Sequence, residues 1–193
     1  MVTDKDLGWS KVMRQLYRLS KKEITVGIQS GTMTEDGETT LAKVAAVHEF
    51  GGTITQQADT VTINRKLKRD GSFANGGRFV KRKKANFSST HMRRARTIKI
   101  PQRSFLRATV GKKKTEISKL ATNAVKSVIE GTDPEAAMRI VGLGVEEMVK
   151  KKITTGPFAQ NAPSTIKRKR SSRPLIDTGH MRQSIRYNII SKE

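Results

Sequence analysis

The side chains able to do chemistry are few, and they are scattered. Of the three histidines, His48, His91 and His180, each lies in a different segment. His48 is followed by Glu49, but no second histidine stands four residues on. The pair is therefore not an HExxH frame, which holds zinc between two imidazoles on one helix face. Asp177 and His180, near several serines, make a fragment of a hydrolytic triad, although the same spacing suits the start of a short helix. There is no P-loop, no GxGxxG and no nucleophile elbow. The GLG at 142–144 falls within a helical apolar pattern, where close helix packing is expected rather than phosphate binding. Cysteine is absent, which excludes disulfides and thiolate zinc. The expectation is no enzyme, no metal and no cofactor.

Positive charge is the stronger chemical signal. The 39 Lys/Arg against 17 Asp/Glu give +22 and a pI near 10.7. Such a field suits polyanions: nucleic acid, an acidic membrane surface or an acidic protein. Between residues 65 and 99, 13 Lys/Arg face one acid, Asp70. A merely solvated face mixes its signs, so this stretch reads as a contact surface. The candidate contacts with DNA or an acidic partner are Arg65, Lys66, Lys68, Arg69, Arg78, Lys81, Arg82, Lys83, Lys84, Arg93, Arg94 and Arg96. A second group follows at Lys167, Arg168, Lys169 and Arg170. No recognition helix or zinc finger accompanies them, so any DNA binding would be to the backbone and independent of sequence. Phe73, Phe79 and Phe87 are interleaved with the charge. They read more readily as anchors against the body or a neighbouring subunit than as base-stacking platforms.

Around these residues the pattern predicts an α+β chain. A helix over 4–21, capped by Asp4 or Asp6, places Val12, Leu16 and Leu19 on one face. Strand 23–29 follows, then a loop and a helix over 41–50 with core face Leu41, Val44, Ala45 and Val47, stopped by Gly51-Gly52. Residues 53–99 read as an inserted basic β-hairpin arm, with strands at 60–67 and 78–84, poorly ordered in a free monomer. Helix 112–130 carries Ile117, Leu120, Ala121, Ala124, Val125, Val128 and Ile129 at steps of three and four. Asp133-Pro134 opens a second helix with stripe Met138, Val141, Val145, Met148, Val149 and Ile153, against a polar face of Glu146, Glu147, Lys150 and Lys151. A basic loop at 154–174 leads to a short helix capped by Asp177 or Thr178 and a final strand at 185–190. The sum is a single α+β domain over 1–193, with a small antiparallel sheet packed against an amphipathic helical hairpin. No apolar run approaches the roughly 20 residues of a membrane span, and the N-terminal residues lack a signal peptide's apolar region. An intracellular protein, or one assembled inside a cell, is expected.

Three stretches taken in order carry a resemblance. They are VAAVHEFGG at 44–52, IPQRSFLRAT at 100–109 and APSTIKRKRSSRPLIDTGHMRQSIRY at 162–187. Together they resemble the phage virion-morphogenesis family, the tail-completion or neck (head–tail joining) proteins of long-tailed phages. The matching residues are His48, Glu49, Phe50 and Gly51, then Pro101, Arg103, Phe105, Leu106 and Arg107. Leu175, Ile176, Asp177, Thr178 and Gly179 follow, with Met181, Ser184 and Ile185. The resemblance implies a virion protein without cofactor, a homo-oligomeric ring of six or twelve copies. Such a ring docks between a connector or adaptor and the tail terminator or tail tube, around double-stranded DNA. It also makes His48 and Glu49 packing, capping or subunit-contact residues. The insertion at 53–99 departs from the short members, so the resemblance assigns it no role. The alternative is a non-specific nucleic-acid-binding protein using the same arm.

Overall fold

The computed structural model describes residues 8–169 and 171–192. The chain is mixed α+β, with small antiparallel sheets and several helices, and forms two units: Met1–Gly52 with Pro101–Glu193, and Thr53–Ile100.

In the first unit, α1 (Trp9–Ser20) begins after Gly8, whose φ of 94° is the left-handed conformation glycine tolerates. The caps expected at Asp4 or Asp6 lie outside the described residues. Val12, Leu16 and Leu19 are half-buried, whereas Trp9, Met13 and Tyr17, spaced four apart, form an exposed apolar row. Strand β1 (Lys22–Ile28) runs antiparallel to the final strand β6 (Ile185–Ser191). Their register sets Ile24 opposite Ile189, Val26 opposite Tyr187 and Ile28 opposite Ile185, so one apolar face is shared.

That face meets the long helix α5 (Pro134–Thr155). Asp133 caps α5, its Oδ2 accepting from the N–H groups of Glu135 (3.0 Å) and Ala136 (3.1 Å), with Pro134 in the first turn. Met138, Val141, Val145, Val149 and Ile153 are buried along one stripe. Helix α2 (Leu41–Phe50) adds Leu41 and Ala45, and Phe105, Leu175, Met181 and Ile185 complete the core. Val47, expected in the core, is exposed, because the inward face of α2 runs through 41, 45 and 49.

Helices α3 (Arg107–Lys112) and α4 (Lys114–Ile129) precede α5. The buried stripe of α4 is narrower than its apolar pattern, since Val125 and Ile129 are exposed. The two GLG glycines answer to packing. A Cβ on Gly142 would lie 2.5 Å from the Tyr187 ring, and one on Gly144 would lie 2.7 Å from Leu120 Cδ1. Glu146, read from sequence as solvent-facing, is buried. It accepts from Lys150 Nζ (2.5 Å) and from the Tyr187 N–H (2.9 Å), stitching α5 to β6. Residues 163–168, expected to be loop, form α6 (Pro163–Arg168), because a proline at the first position suits a helix start. The last helix is α7 (His180–Gln183).

In the second unit, β2 (Gly52–Gln56) pairs with β5 (Arg96–Ile100), and β3 (Asp59–Arg65) runs antiparallel to β4 (Phe87–Arg93), with Asp59 opposite Arg93 and Arg65 opposite Phe87. The strand expected at 78–84 is not there. That run holds five cations and one aliphatic, Val80, and it folds as an extended piece and a tight turn at Arg82–Lys84.

Candidate functional site

Two of the three stretches of the resemblance, 44–52 and 100–109, meet at one junction. Glu49 comes from the inward face of α2 and is 4% exposed. Its carboxylate accepts from Ser104 Oγ (2.6 Å), from the N–H groups of Phe105 (2.8 Å), Leu106 (2.9 Å) and Arg107 (3.0 Å), and from Arg107 Nε (3.2 Å). It thus fills the N-terminal end of α3, where free N–H groups and the helix dipole favour an anion. Burial alone would raise its pKa, but the bonds from Ser104 and from the three N–H groups outweigh it and hold the carboxyl below its ordinary value.

Arg103 is the counterpart. At 3% exposed, it donates through Nε to the Ala159 carbonyl (2.8 Å) and through Nη2 to the Gln160 carbonyl (3.2 Å) and Asn161 Oδ1 (3.0 Å). Its Nη1 lies 3.3 Å from His48 Nδ1, and its backbone N–H donates to the His48 carbonyl at 2.7 Å. Burial draws it below the usual arginine value. The two buried charges are not bonded to each other; each is wrapped mainly in neutral dipoles, which is how an isolated buried charge is tolerated. Gly51, at φ 73°, ends α2, and the exposed Phe50 ring carries the Arg107 guanidinium 4.4 Å from its centroid. Pro101 is exposed, whereas Phe105 is fully buried and Leu106 packs against the core.

Beside this junction opens a cleft of about 540 Å³, lined by Asp36, Val44, His48, Asn161, Lys169, Asp177, Thr178, Gly179 and His180 among others. An arginine can only donate, so His48 Nδ1 accepts and its proton sits on Nε2. Burial, then the charges of Arg103 and Lys169, push its pKa down to about 4. With that value and its acceptor nitrogen engaged, His48 is a poor general base at neutral pH. Lys169 is half-buried, its Nζ donating to the carbonyls of Arg173 (2.9 Å) and Pro174 (3.1 Å). It is thus a loop brace and not the outward contact expected of it. Thr178 Oγ1 accepts a long bond (3.4 Å) from the His180 N–H, while Gly179, at φ 91°, occupies the cap position of α7. Lys167 and Arg168 are exposed on α6; Arg170 lies outside the described residues. Among the described residues no three His, Cys, Asp or Glu side chains gather as a metal would require, and no helix is long and apolar enough to cross a membrane.

The other charged site is the arm. Arg93 pairs with Asp59, and Arg96 Nε donates to Gln56 Oε1 at 2.8 Å. Arg94 is exposed. Arg65 is half-buried, its guanidinium 4.9 Å from the Phe73 centroid and 5.3 Å from that of Phe79, and Phe73 meets Phe87 edge-on at 5.8 Å. Phe73 and Phe79 therefore lie against an arginine of their own unit, and Phe73 in turn meets Phe87. Sequence reasoning missed Ser104, Asn161 and Glu146. Only Ser104 carried a signal, standing just before a helix where a hydroxyl commonly caps; it also accepts from the Ala108 N–H at 3.2 Å.

By its fold the chain is a small α+β protein with a basic inserted unit. No family model, curated protein or solved structure matches it.

Proposed function

We propose that this chain is a structural subunit of the phage neck, joining the head connector to the tail as an oligomeric ring around the DNA channel, in the tail-completion or tail-terminator position. One observation carries the reading. HEFG at 48–51 and PQRSFLR at 101–107, the stretches on which the resemblance rests, are bound to each other through Glu49 and Arg103. Their order in the sequence is therefore the trace of one physical joint. A ring also needs heterologous faces whose rotation closes. The exposed row Trp9, Met13 and Tyr17 of α1, with Val125, Ile129, Ile140 and Leu143 on α4 and α5, offers apolar surface for such contacts. The partners are then further copies of the chain, a connector or adaptor, and a tail terminator or tail tube. The subunit is assembled in the host cytoplasm and carried in the virion.

Deleting the gene tests this. The expected result is filled heads and finished tails that fail to join, rescued by the gene in trans, with closed rings of the purified protein seen by electron microscopy. Joined, infectious particles without the gene product would overturn it. The charge of Thr53–Ile100, with 13 Lys/Arg against two Asp, favours the second reading, a non-specific nucleic-acid-binding protein. That reading predicts duplex binding and unimpaired head–tail joining in the deletion.

A further inference from the structure

The arm carries its charge in a particular way. Residues 65–86, which close the β3–β4 ribbon, hold nine Lys/Arg and one acid, Asp70. Asp70 is engaged by Ser72, whose N–H (2.9 Å) and Oγ (2.7 Å) both donate to it. Nothing else acidic stands in that stretch to offset the cations.

Such a stretch would be expected to splay apart, yet it is folded. The Ala74 N–H donates to the Lys66 carbonyl (2.7 Å), Lys68 N–H to Ser72 (2.8 Å) and Val80 N–H to Asn64 (2.9 Å). The Asn86 amide brackets Leu67, accepting from its N–H at 2.6 Å and donating to its carbonyl at 2.9 Å. Arg65 stands at the centre, against the faces of Phe73 and Phe79, with its Nε buried and lacking a hydrogen-bond partner. A guanidinium against aromatic faces is stabilised there by the ring quadrupoles. One cation is thus half-buried. The remaining eight, Lys66, Lys68, Arg69, Arg78, Lys81 and the Arg82–Lys84 turn, are exposed.

We propose that this tip is a preformed head for the phosphodiester backbone of double-stranded DNA, with the half-buried Arg65 as its pillar and the eight exposed cations as its contacts. The choice of duplex DNA rests on the neck reading; the phosphate chemistry stands without it. Five of the eight are lysines, a residue depleted from protein–protein interfaces but able to bind phosphate as a point charge. Eight like charges so close in sequence repel within a Debye length of roughly 8 Å. A duplex with one negative charge per roughly 1.7 Å of axis relieves that repulsion along its whole length. Because the tip is already folded, binding does not have to order it.

The test is fluorescence anisotropy of the full chain with a random-sequence duplex, titrated over a salt series. Replacing Lys81, Arg82, Lys83 and Lys84 by alanine should flatten the slope of log affinity against log salt by about 3–4, near 0.9 per lost contact. Arg65→Lys, which keeps the charge but loses the planar group, should weaken binding several-fold, whereas Lys83→Arg should leave it unchanged. An unaltered slope in the fourfold variant, or equal binding by Arg65→Lys, overturns the proposal. So does tighter binding of polyglutamate through the same four residues, which would make the occupant an acidic protein. Sedimentation of the same samples separates the two claims. Rings with an unaltered slope sink this inference alone; a flattened slope without rings sinks the neck reading alone.

Discussion

The body and the arm use the same residue types in opposite ways. In the body, Glu49, Arg103 and Glu146 are each under a tenth exposed, and every one is satisfied by backbone or side-chain partners. In the tip of the arm, one arginine is half-buried and eight cations are exposed, with a single, already engaged acid among them. Buried charge of the first kind positions segments distant in sequence. Exposed charge of the second kind leaves a field to be met by something else. A formal +22 is therefore not one property of this chain but two.

The sharpest way to break that contrast is at Glu49. Glu49→Ala strands three N–H groups and the Ser104 hydroxyl, and takes the carboxylate from Arg107 Nε. It should cost about 3–5 kcal/mol, the range for removing one partner of a buried charged network, read as a collapse of the thermal midpoint. An Asp59→Ala variant, which loses only an exposed pair, should leave that midpoint nearly unmoved.

Acid sharpens the contrast next. His48 titrates at about 4 in the folded chain against 6.5 ordinarily. The unfolded chain thus takes up its proton first, and stability present above pH 6.5 is lost as pH falls toward 4. The loss should be roughly 2–4 kcal/mol. Glu49 and Glu146, both held below 4.5, add stability that is present above that pH and lost below it. His48→Asn should flatten the upper part of the denaturation profile and leave the lower part, measured by urea midpoints across pH. Smaller again is Gly142→Ala, which drives a methyl into the Tyr187 ring and should cost about 1–3 kcal/mol by overpacking.

What could be read from residues alone was whatever depends on near neighbours. The Asp133-Pro134 start and the three-and-four spacing of α5 are local, and so is the alternation in β1 and β6. Strand β4 was not readable, because FSSTHMR has no apolar alternation. Its pairing is fixed instead by contacts such as Ser88 Oγ donating to Asn64 Oδ1 at 2.7 Å, 24 residues away. Glu146 was misread for a similar reason. A glutamate beside an apolar stripe looks solvated until the Tyr187 N–H arrives 41 residues later. The junction of Glu49 and Arg103 was present only as two motifs in order; that they touch is a property of the fold.

One measurement reads both halves of the contrast at once, namely lysine labelling rates by an amine-reactive reagent, residue by residue, with and without duplex DNA. Lys150, 16% exposed and bound to Glu146, and Lys169, bound to two carbonyls, should label slowly in both conditions. Lys66, Lys68, Lys81, Lys83 and Lys84 should label fast alone and slowly with the duplex. Equal rates for Lys150 and the tip lysines, or tip rates that DNA leaves unchanged, would contradict the division of charge described above.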